Sequence, residues 1–234
     1  MARQPRLEIP GIPLHVTQRG VNRCAIFLDD VDRHHYRRLL RDACRRHDVA
    51  IHAFVLMDNH VHLLLSADVP GCISGALRLA GQGYVQSFNQ RHGRVGTLWQ
   101  GRFKSSLVDP AAGVLQVTRY IELNPVRAAL AGRAEDYRWS SVHTHLGLAQ
   151  DPLVTPHPAY LALDHERARR AAVYRQWLHA PLDPDELQRI RIYMAQEKAL
   201  GDPRFQAMVE QALGRHAAAR PRGRPRRENG DGGN

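Results

Sequence analysis

The sequence predicts an α+β protein: a ferredoxin-like split β-α-β core with an antiparallel sheet, followed by a helical C-terminal appendage and a disordered basic tail. Two observations predict the core. Between about residues 10 and 147, short apolar runs and amphipathic segments follow one another in the order strand, helix, strand, strand, helix, strand, helix. The hydrophobic fraction of 43% over 234 residues is also that of a chain able to bury a substantial core.

The first part of the core contains three predicted strands and one helix. Leu14–Arg19 alternates apolar and polar residues as a strand does, and a turn at residues 20–23 follows it. Residues 30–47 place apolar side chains at helical spacing beneath a basic outer face, which is either simply solvated or in contact with nucleic acid. Residues 49–57 and His60–Ser66 are then predicted as the second and third strands.

The second part of the core contains a helix, a strand and a further helix. Cys72–Arg91 carries small residues that allow a helix to pack closely, and residues 97–108 are predicted to form the fourth strand. The Asp-Pro pair at residues 109–110 is typical of a helix start, and the helix is expected to run toward Asn124. In this order the strand His60–Ser66 is central, and its ends face a cleft.

The charge of the chain indicates a polyanionic partner. A net charge of +10 is far from that of an average globular protein, and nucleic acid is the natural partner for such a chain. No apolar stretch reaches the length of a membrane span, and residues 1–13 lack the apolar core of a signal peptide. We therefore expect a cytoplasmic protein with no membrane partner. The three cysteines are widely spaced, which is typical of reduced thiols.

Two histidines interrupt the apolar run at residues 54–65. Because successive side chains of a strand point to opposite faces, His60 and His62 project from the same face, about 7 Å apart, which suits one metal ion. Spacing alone is weak evidence, since 14 histidines in 234 residues produce roughly one such pair by chance. A second pair, His143 and His145, lies in a polar segment. The residues alone are consistent with a metal site or with two buried, hydrogen-bonded imidazoles.

A second group of polar side chains lies on the last predicted helix of the core. Tyr120 and Asn124 are four residues apart and share a helix face, so that a phenol and an amide oxygen can approach one ion or phosphate. Pro125 disfavours helical geometry at Asn124, and the helix is expected to end or kink there. The alternative is that Tyr120 is a half-buried core residue and Asn124 a helix terminus.

Five segments of the chain carry a resemblance to a known family. They are HVTQRG at residues 15–20, MDNHVHLL at 57–64, LWQGRF at 98–103, RYIELNPVR at 119–127 and WSS at 139–141. In their order and spacing they resemble the single-tyrosine HUH transposases of bacterial insertion sequences, and in particular the REP-associated tyrosine transposases. One departure is Asp58, where proline is commoner in that family.

The resemblance implies an enzyme, a metal-dependent DNA transposase. It implies Tyr120 as the nucleophile and a divalent cation, Mg²⁺ or Mn²⁺, held by His60, His62 and Asn124. Attack on single-stranded DNA beside a hairpin-forming repeat would leave a 5′-phosphotyrosine and a free 3′-hydroxyl, and the reverse step would rejoin strands. Imidazole ligands suit manganese better than magnesium, and a structural zinc site is the weaker alternative because no cysteine ligand set is present.

The resemblance and the residue types also indicate DNA contacts. The stretch at residues 17–23 is expected to help read the foot of the hairpin, and residues 99–104 combine aromatic and basic side chains suited to bases and phosphates. The alternative for residues 99–104 is packing within a strand. The expected DNA-binding residues of the core are Thr17, Arg19, Asn22, Arg23, Trp99, Arg102, Lys104 and Arg127.

The chain changes character after the core. Residues 148–158 are expected to form a proline-rich linker, and residues 159–216 a helical region with a DNA-binding or accessory role, arranged as a helical hairpin or a helix-turn-helix-like unit. Residues 217–234 form a basic tail that resembles an AT-hook and is expected to contact A·T-rich duplex DNA. A nonspecific electrostatic tail is the alternative. The arginines of the hook are Arg222, Arg224 and Arg226.

Three other functions compete with that of a transposase. A regulator that binds hairpin DNA without cutting it would keep the basic surface but would not need Tyr120 together with the metal ligands. A two-metal nuclease would need Asp58, Asp109 and Glu122 to converge. A phage or plasmid relaxase would share the HUH chemistry, but in a longer chain. The protein is expected to act as a monomer or a homodimer.

Overall fold

The computed structural model describes residues 6–220, and the fold below refers to that part of the chain. It contains five strands and nine α-helices, with short 3-10 helices at Val21–Arg23 and Ala134–Asp136. In chain order the elements are β1 (Leu14–Arg19), α1 (Asp30–Arg46), β2 (Ala50–Met57), β3 (His60–Ser66), α2 (Cys72–Arg91), β4 (Lys104–Val108), α3 (Val114–Glu122), α4 (Asn124–Arg127), α5 (Val142–His145), α6 (Pro158–Leu161), α7 (Arg167–His179), α8 (Pro184–Gln196), β5 (Ala199–Leu200) and α9 (Pro203–Leu213).

The strands form one sheet in the order β2-β3-β1-β4-β5. Strands β1 to β4 pair antiparallel with one another, and Thr17 of β1 lies between His62 of β3 and Lys104 of β4. This is the strand order of a ferredoxin-like split β-α-β core, so the predicted α+β class is confirmed. β5 extends the sheet beyond β4 as a parallel strand.

Helices α1 and α2 cover one face of the sheet and enclose the larger hydrophobic core. α1 begins after Asp29, whose side chain accepts a hydrogen bond of 3.0 Å from the backbone N–H of Asp32. Its buried face carries Tyr36 and Leu40, and the ring of Tyr36 meets that of Tyr84 on α2 edge-on, with centroids 5.1 Å apart. These large side chains fix the two helices against the sheet.

Helices α3 and α8 cover the opposite face. Val55 of β2 and Leu64 of β3 are packed there with Val117 and Ile121 of α3 and with Ile190 of α8. The sheet therefore has helices on both faces. The reason lies in β2 and β3, which are apolar toward both faces, as is typical of a strand buried on both sides.

Two elements begin later than predicted. The fourth strand is Lys104–Val108, because the chain bends at Gly101, whose φ is 73°. Before that bend Trp99 forms only an isolated bridge, with Gly20. α3 starts at Val114 because the side chain of Asp109 first accepts a hydrogen bond of 2.9 Å from the backbone of Ala111, which makes a turn.

The C-terminal region packs against the rest of the fold. Residues 148–157 contain no helix or strand, but the backbone N–H of Thr155 donates to the carbonyl of Ile51 on β2 at 2.7 Å. The short strand β5 separates α8 from α9 and joins the sheet. Neither the helical-hairpin nor the helix-turn-helix-like interpretation of residues 159–216 predicted this strand. No helix of residues 6–220 has the length and apolarity needed to cross a membrane. The predicted contacts of Arg222, Arg224 and Arg226 fall outside the described residues.

Candidate active site

A cavity of about 560 Å³ brings together the four residues expected to carry the chemistry. His60 and His62 line it from β3, Tyr120 from α3 and Asn124 from the first position of α4. The two histidines share a face because they are two residues apart on a strand. Their ring centroids lie 5.1 Å apart, and the centroid of the His62 ring lies 5.8 Å from that of Tyr120.

A break in helical geometry sets the position of Asn124. α3 ends at Glu122, and Leu123 adopts φ −86° and ψ 2° before α4 begins. Pro125 removes a hydrogen bond at this break, because it has no amide hydrogen to donate to the carbonyl of Ile121. The predicted interruption of the helix is confirmed. Tyr120 and Asn124 still line the same cavity and are only 8% and 9% exposed.

Each imidazole of the pair is held by a hydrogen bond at Nδ1. The Nδ1 of His60 lies 2.7 Å from Oδ1 of Asn59, and since that oxygen accepts, the imidazole donates. The Nδ1 of His62 lies 2.9 Å from Nε2 of His15 on β1. Within residues 6–220 the Nε2 atoms of His60 and His62 have no hydrogen-bond partner. Nε2 is therefore the nitrogen that each ring can offer to a ligand.

His15 is a site residue that the sequence analysis did not assign. It is 1% exposed, its ring stacks on that of His62 at 5.1 Å, and it meets Tyr120 edge-on at 5.7 Å. The alternation along β1 places His15 on the same face as Thr17 and Arg19, and this pattern was visible in the sequence. Only the pairing of β1 with β3 shows that this face meets His62.

Burial keeps these imidazoles neutral. It lowers the pKa of His60 to about 4 and that of His15 to about 3, and it holds the pKa of His62 well below its ordinary value. Neighbouring positive charges act in the same direction, Arg19 on His60 and Arg127 on His15. A neutral imidazole has the free lone pair that a metal ligand requires.

The wall around these four residues is basic. None of the described residues that line the cavity is acidic. Arg127 lies over the ring of Tyr120, with Cζ 4.2 Å from the ring centroid, and burial lowers the pKa of its guanidinium. A cavity of this charge favours an anionic ligand such as phosphate. Its cationic side chains are Arg19, Arg102, Lys104, Arg127 and Arg191.

The donor set at the cavity has the ligand types that the implied divalent cation accepts. Within residues 6–220, no group of three or more histidine, cysteine or acidic side chains is arranged to hold a metal ion by itself. Two imidazole nitrogens and the amide oxygen of Asn124 would leave coordination positions for phosphate oxygens and water, which suits a catalytic ion. A closed structural zinc site, which needs four protein ligands, does not fit.

The three carboxylates that a two-metal nuclease would need lie apart. Asp58 pairs with Arg33 of α1, and Asp109 caps the turn before α3. Glu122 is fully buried and accepts a hydrogen bond of 2.6 Å from His145 of α5. The structure therefore contradicts the nuclease alternative.

Only some of the predicted DNA-binding residues lie at the cavity. Asn22 and Arg23 lie outside the cavity, in the 3-10 turn after β1, where both have positive φ angles, of 50° and 59°. Trp99 is 8% exposed, and its Nε1 donates to the carbonyl of Gly81 on α2 at 3.3 Å, so its indole packs on this helix and not within a strand. The predicted DNA-binding residues that do line the cavity are Thr17, Arg19, Arg102, Lys104 and Arg127.

Comparison with known proteins identifies the family. Residues 9–124 match the family described as "Transposase IS200 like". A solved structure of a REP-associated tyrosine transposase bound to a REP hairpin shares the fold, with 20% sequence identity and a TM-score of 0.53 over 68% of this chain and 93% of that chain. A candidate transposase from Deinococcus radiodurans R1 aligns at 17% identity over 58% of this chain and 98% of that chain, with a TM-score of 0.37. No curated protein matches the chain.

The matched segment contains the first four strands of the sheet and the centre of the site. His60, His62, Tyr120 and Asn124 all fall within residues 9–124, whereas α8 lies beyond them. Residues 9–124 of the chain are therefore a segment of the IS200-like transposase family.

Proposed function

We propose that this protein cleaves and rejoins single-stranded DNA at hairpin-forming repeats, with Tyr120 as nucleophile and with a divalent cation, Mg²⁺ or Mn²⁺, held by His60, His62 and Asn124. The observation that carries the proposal is the convergence of a phenol, two neutral imidazoles and an amide in one cavity whose other charged residues are all basic. A transposase must break and join DNA strands, and these are groups that can exchange esters at phosphorus.

The proposed step replaces one phosphodiester by another. The phenolic oxygen of Tyr120 forms a bond to phosphorus and loses its proton, the bond from phosphorus to the 3′ oxygen breaks, and that oxygen takes up a proton. The products are a 5′-phosphotyrosine and a 3′-hydroxyl. Because the broken and formed bonds are alike, the step is close to isoenergetic, and its reversal rejoins strands without a nucleoside triphosphate.

The side chains around Tyr120 support this role. Arg127 places a positive charge 4.2 Å from the centre of its ring, where it would stabilise negative charge during the attack. Arg19 and Lys104 line the same cavity and suit the non-bridging oxygens of the scissile phosphate. When bound, the cation would polarise one of those oxygens and help to orient the bond that breaks.

The proposed substrate is a DNA hairpin with single-stranded flanks. The solved structure with the same fold is bound to a REP hairpin, and the present chain is strongly basic. Thr17 and Arg19 lie in the cavity, and Asn22 and Arg23 follow in the turn after β1, so the stretch suits contact with the foot of a hairpin. For the tail, Arg222, Arg224 and Arg226 are proposed to add contacts to A·T-rich duplex DNA.

A covalent-adduct assay tests the proposal. The full chain and its Tyr120→Phe variant are incubated with labelled hairpin oligonucleotides and Mn²⁺, and the products are separated on a denaturing gel. We expect a protein-DNA band with the unmodified chain and none with Tyr120→Phe, because phenylalanine keeps the ring but lacks the attacking oxygen. Binding of the hairpin by the variant, measured without Mn²⁺, should be retained.

Two results would contradict the mechanism. An adduct that persists in Tyr120→Phe would remove Tyr120 from the reaction. Tight hairpin binding without any adduct from the unmodified chain would instead support the regulator, which keeps the fold and has no cleavage activity.

A further inference from the structure

One side of the cavity is formed by α8, which lies outside the segment matched by the family. Arg191, Met194 and Ala195 of this helix line the cavity together with Tyr120. The helix is held in place by Ile190, which is 1% exposed and packs in the cluster formed by α3 and the sheet. The position of Arg191, next to a buried anchor, is therefore set by the core.

Arg127 has an unsatisfied donor at the same cavity. Its Nη1 is buried and has no hydrogen-bond partner within the described residues. A buried N–H group without an acceptor is unfavourable, and native proteins usually satisfy such groups with a protein atom, water or a ligand. The stacking of Arg127 on Tyr120 places this unsatisfied group beside the nucleophile.

Arg191 lies close to this group and also lacks a counter-charge. It is exposed, and it forms no hydrogen bond or ion pair within residues 6–220. Burial is the main cause of the lowered pKa of Arg127, and repulsion by Arg191 adds to it. Both guanidinium groups line a cavity where no lining residue is acidic. An anion bound between them would remove the repulsion and satisfy the buried N–H.

We propose that Arg127 and Arg191 together bind one backbone phosphate of the single strand beside Tyr120, so that α8 is a wall of the active site. Guanidinium groups suit this ligand because their planar N–H donors match phosphate oxygens. The C-terminal region then has a positioning role in strand cleavage: Arg191 holds the strand and does not touch the reacting atoms. This inference rests on the proposed function, since it takes the bound anion to be DNA.

Two variants of α8 form a matched pair for the test. Arg191→Gln removes the charge at the cavity, whereas Arg189→Gln removes the same charge from an exposed residue of the same helix that does not line the cavity. The affinity of each full chain for a fluorescein-labelled hairpin with single-stranded flanks is measured at several salt concentrations, without a divalent cation. We expect Arg191→Gln to bind about tenfold more weakly and to lose about one unit of the salt slope, as the loss of one phosphate contact predicts. Arg189→Gln should change affinity by less than about twofold.

A methylphosphonate scan locates the contact. Each phosphate of the single-stranded flank is replaced in turn by the neutral methylphosphonate, and binding is measured with the unmodified chain and with Arg191→Gln. At one position the replacement should weaken binding to the unmodified chain more than binding to Arg191→Gln, because that variant already lacks one of the two guanidinium contacts to this phosphate. If every position weakens both proteins equally, or if the two α8 variants behave alike, the phosphate contact of Arg191 is refuted.

The covalent-adduct assay separates this inference from the proposed function. A smaller methylphosphonate effect at one position in Arg191→Gln, with no adduct from the unmodified chain, would support the phosphate contact and refute the cleavage reaction. An adduct from both proteins, with equal affinities and salt slopes, would support the reaction and refute the contact.

Discussion

The chain contains two His-x-His sequences, and the structure places them in different surroundings. His60 and His62 lie on a strand, so both rings point into the same cavity, with centroids 5.1 Å apart. His143 and His145 lie on the short helix α5, where residues two apart point in directions that differ by roughly 200°. His145 is buried, whereas the half-buried His143 donates a hydrogen bond of 2.8 Å from Nε2 to the carbonyl of Glu135. The His-x-His spacing therefore brings two imidazoles to the same side on a strand but not on a helix.

The two pairs also differ in the partners of their imidazoles. Nδ1 of His145 lies 2.6 Å from Glu122, which also accepts hydrogen bonds of 2.6 Å from Ser141 and Tyr174. This network is closed, and it joins α3 to α5 and α7. His60 and His62 instead have uncharged partners at Nδ1 and open Nε2 atoms at a cavity. Helix α3 separates the two clusters, since its Tyr120 lines the cavity and its Glu122 belongs to the network.

The largest expected effect comes from removing the imidazoles at the cavity. His60→Ala combined with His62→Ala should lower the cleavage rate by about 1,000-fold or more, because a catalytic cation contributes several kcal/mol to the transition state. Binding of Mn²⁺ in the presence of hairpin DNA, followed by electron paramagnetic resonance, should be lost as well. His143→Ala is the matched control and should change neither quantity. Cleavage by the double variant at the same metal optimum would show that these residues are not the ligands.

A smaller effect, on stability, should come from the closed network. Glu122→Gln replaces an acceptor of three hydrogen bonds by an amide, and the amide N–H₂ then faces donors. We expect the free energy of unfolding in urea to fall by about 2–4 kcal/mol. The control is Glu166→Gln, which breaks only a surface pair with Arg169 and should cost less than about 0.5 kcal/mol. Equal losses in the two variants would mean that the network does not stabilise the fold.

The smallest effect concerns a histidine whose partners are neutral and which lies away from the cavity. His52 contacts Thr155 and Ser66 at 2.8 Å each, and burial lowers its pKa to about 4. The unfolded chain binds this proton near pH 6.5, before the folded protein does, so the free energy of unfolding should fall as the pH decreases from 6.5 toward 4. In His52→Gln this fall should be smaller, by on the order of 1 kcal/mol, in urea titrations at a series of pH values. An unchanged pH profile would show that His52 is protonated equally in both states.

Periodicity predicted most of the core. Strands β1 and β3 and helix α2 begin and end where the pattern of apolar residues places them. The fourth strand was predicted too long, since the bend at Gly101 depends on local backbone geometry and not on hydrophobicity. The strand β5 was missed because two residues carry no detectable period.

The sequence by itself determined the α+β class, the shared face of His60 and His62, the break before Pro125 and the basic character of the chain, since each follows from neighbours along the chain. Only the tertiary structure decided the rest. It decided that His15 engages His62, that Arg191 reaches the cavity from α8, and that Glu122 is a buried acceptor and not a metal ligand. These contacts join residues far apart in sequence, and they exist only after the sheet has paired and the helices have packed on its two faces.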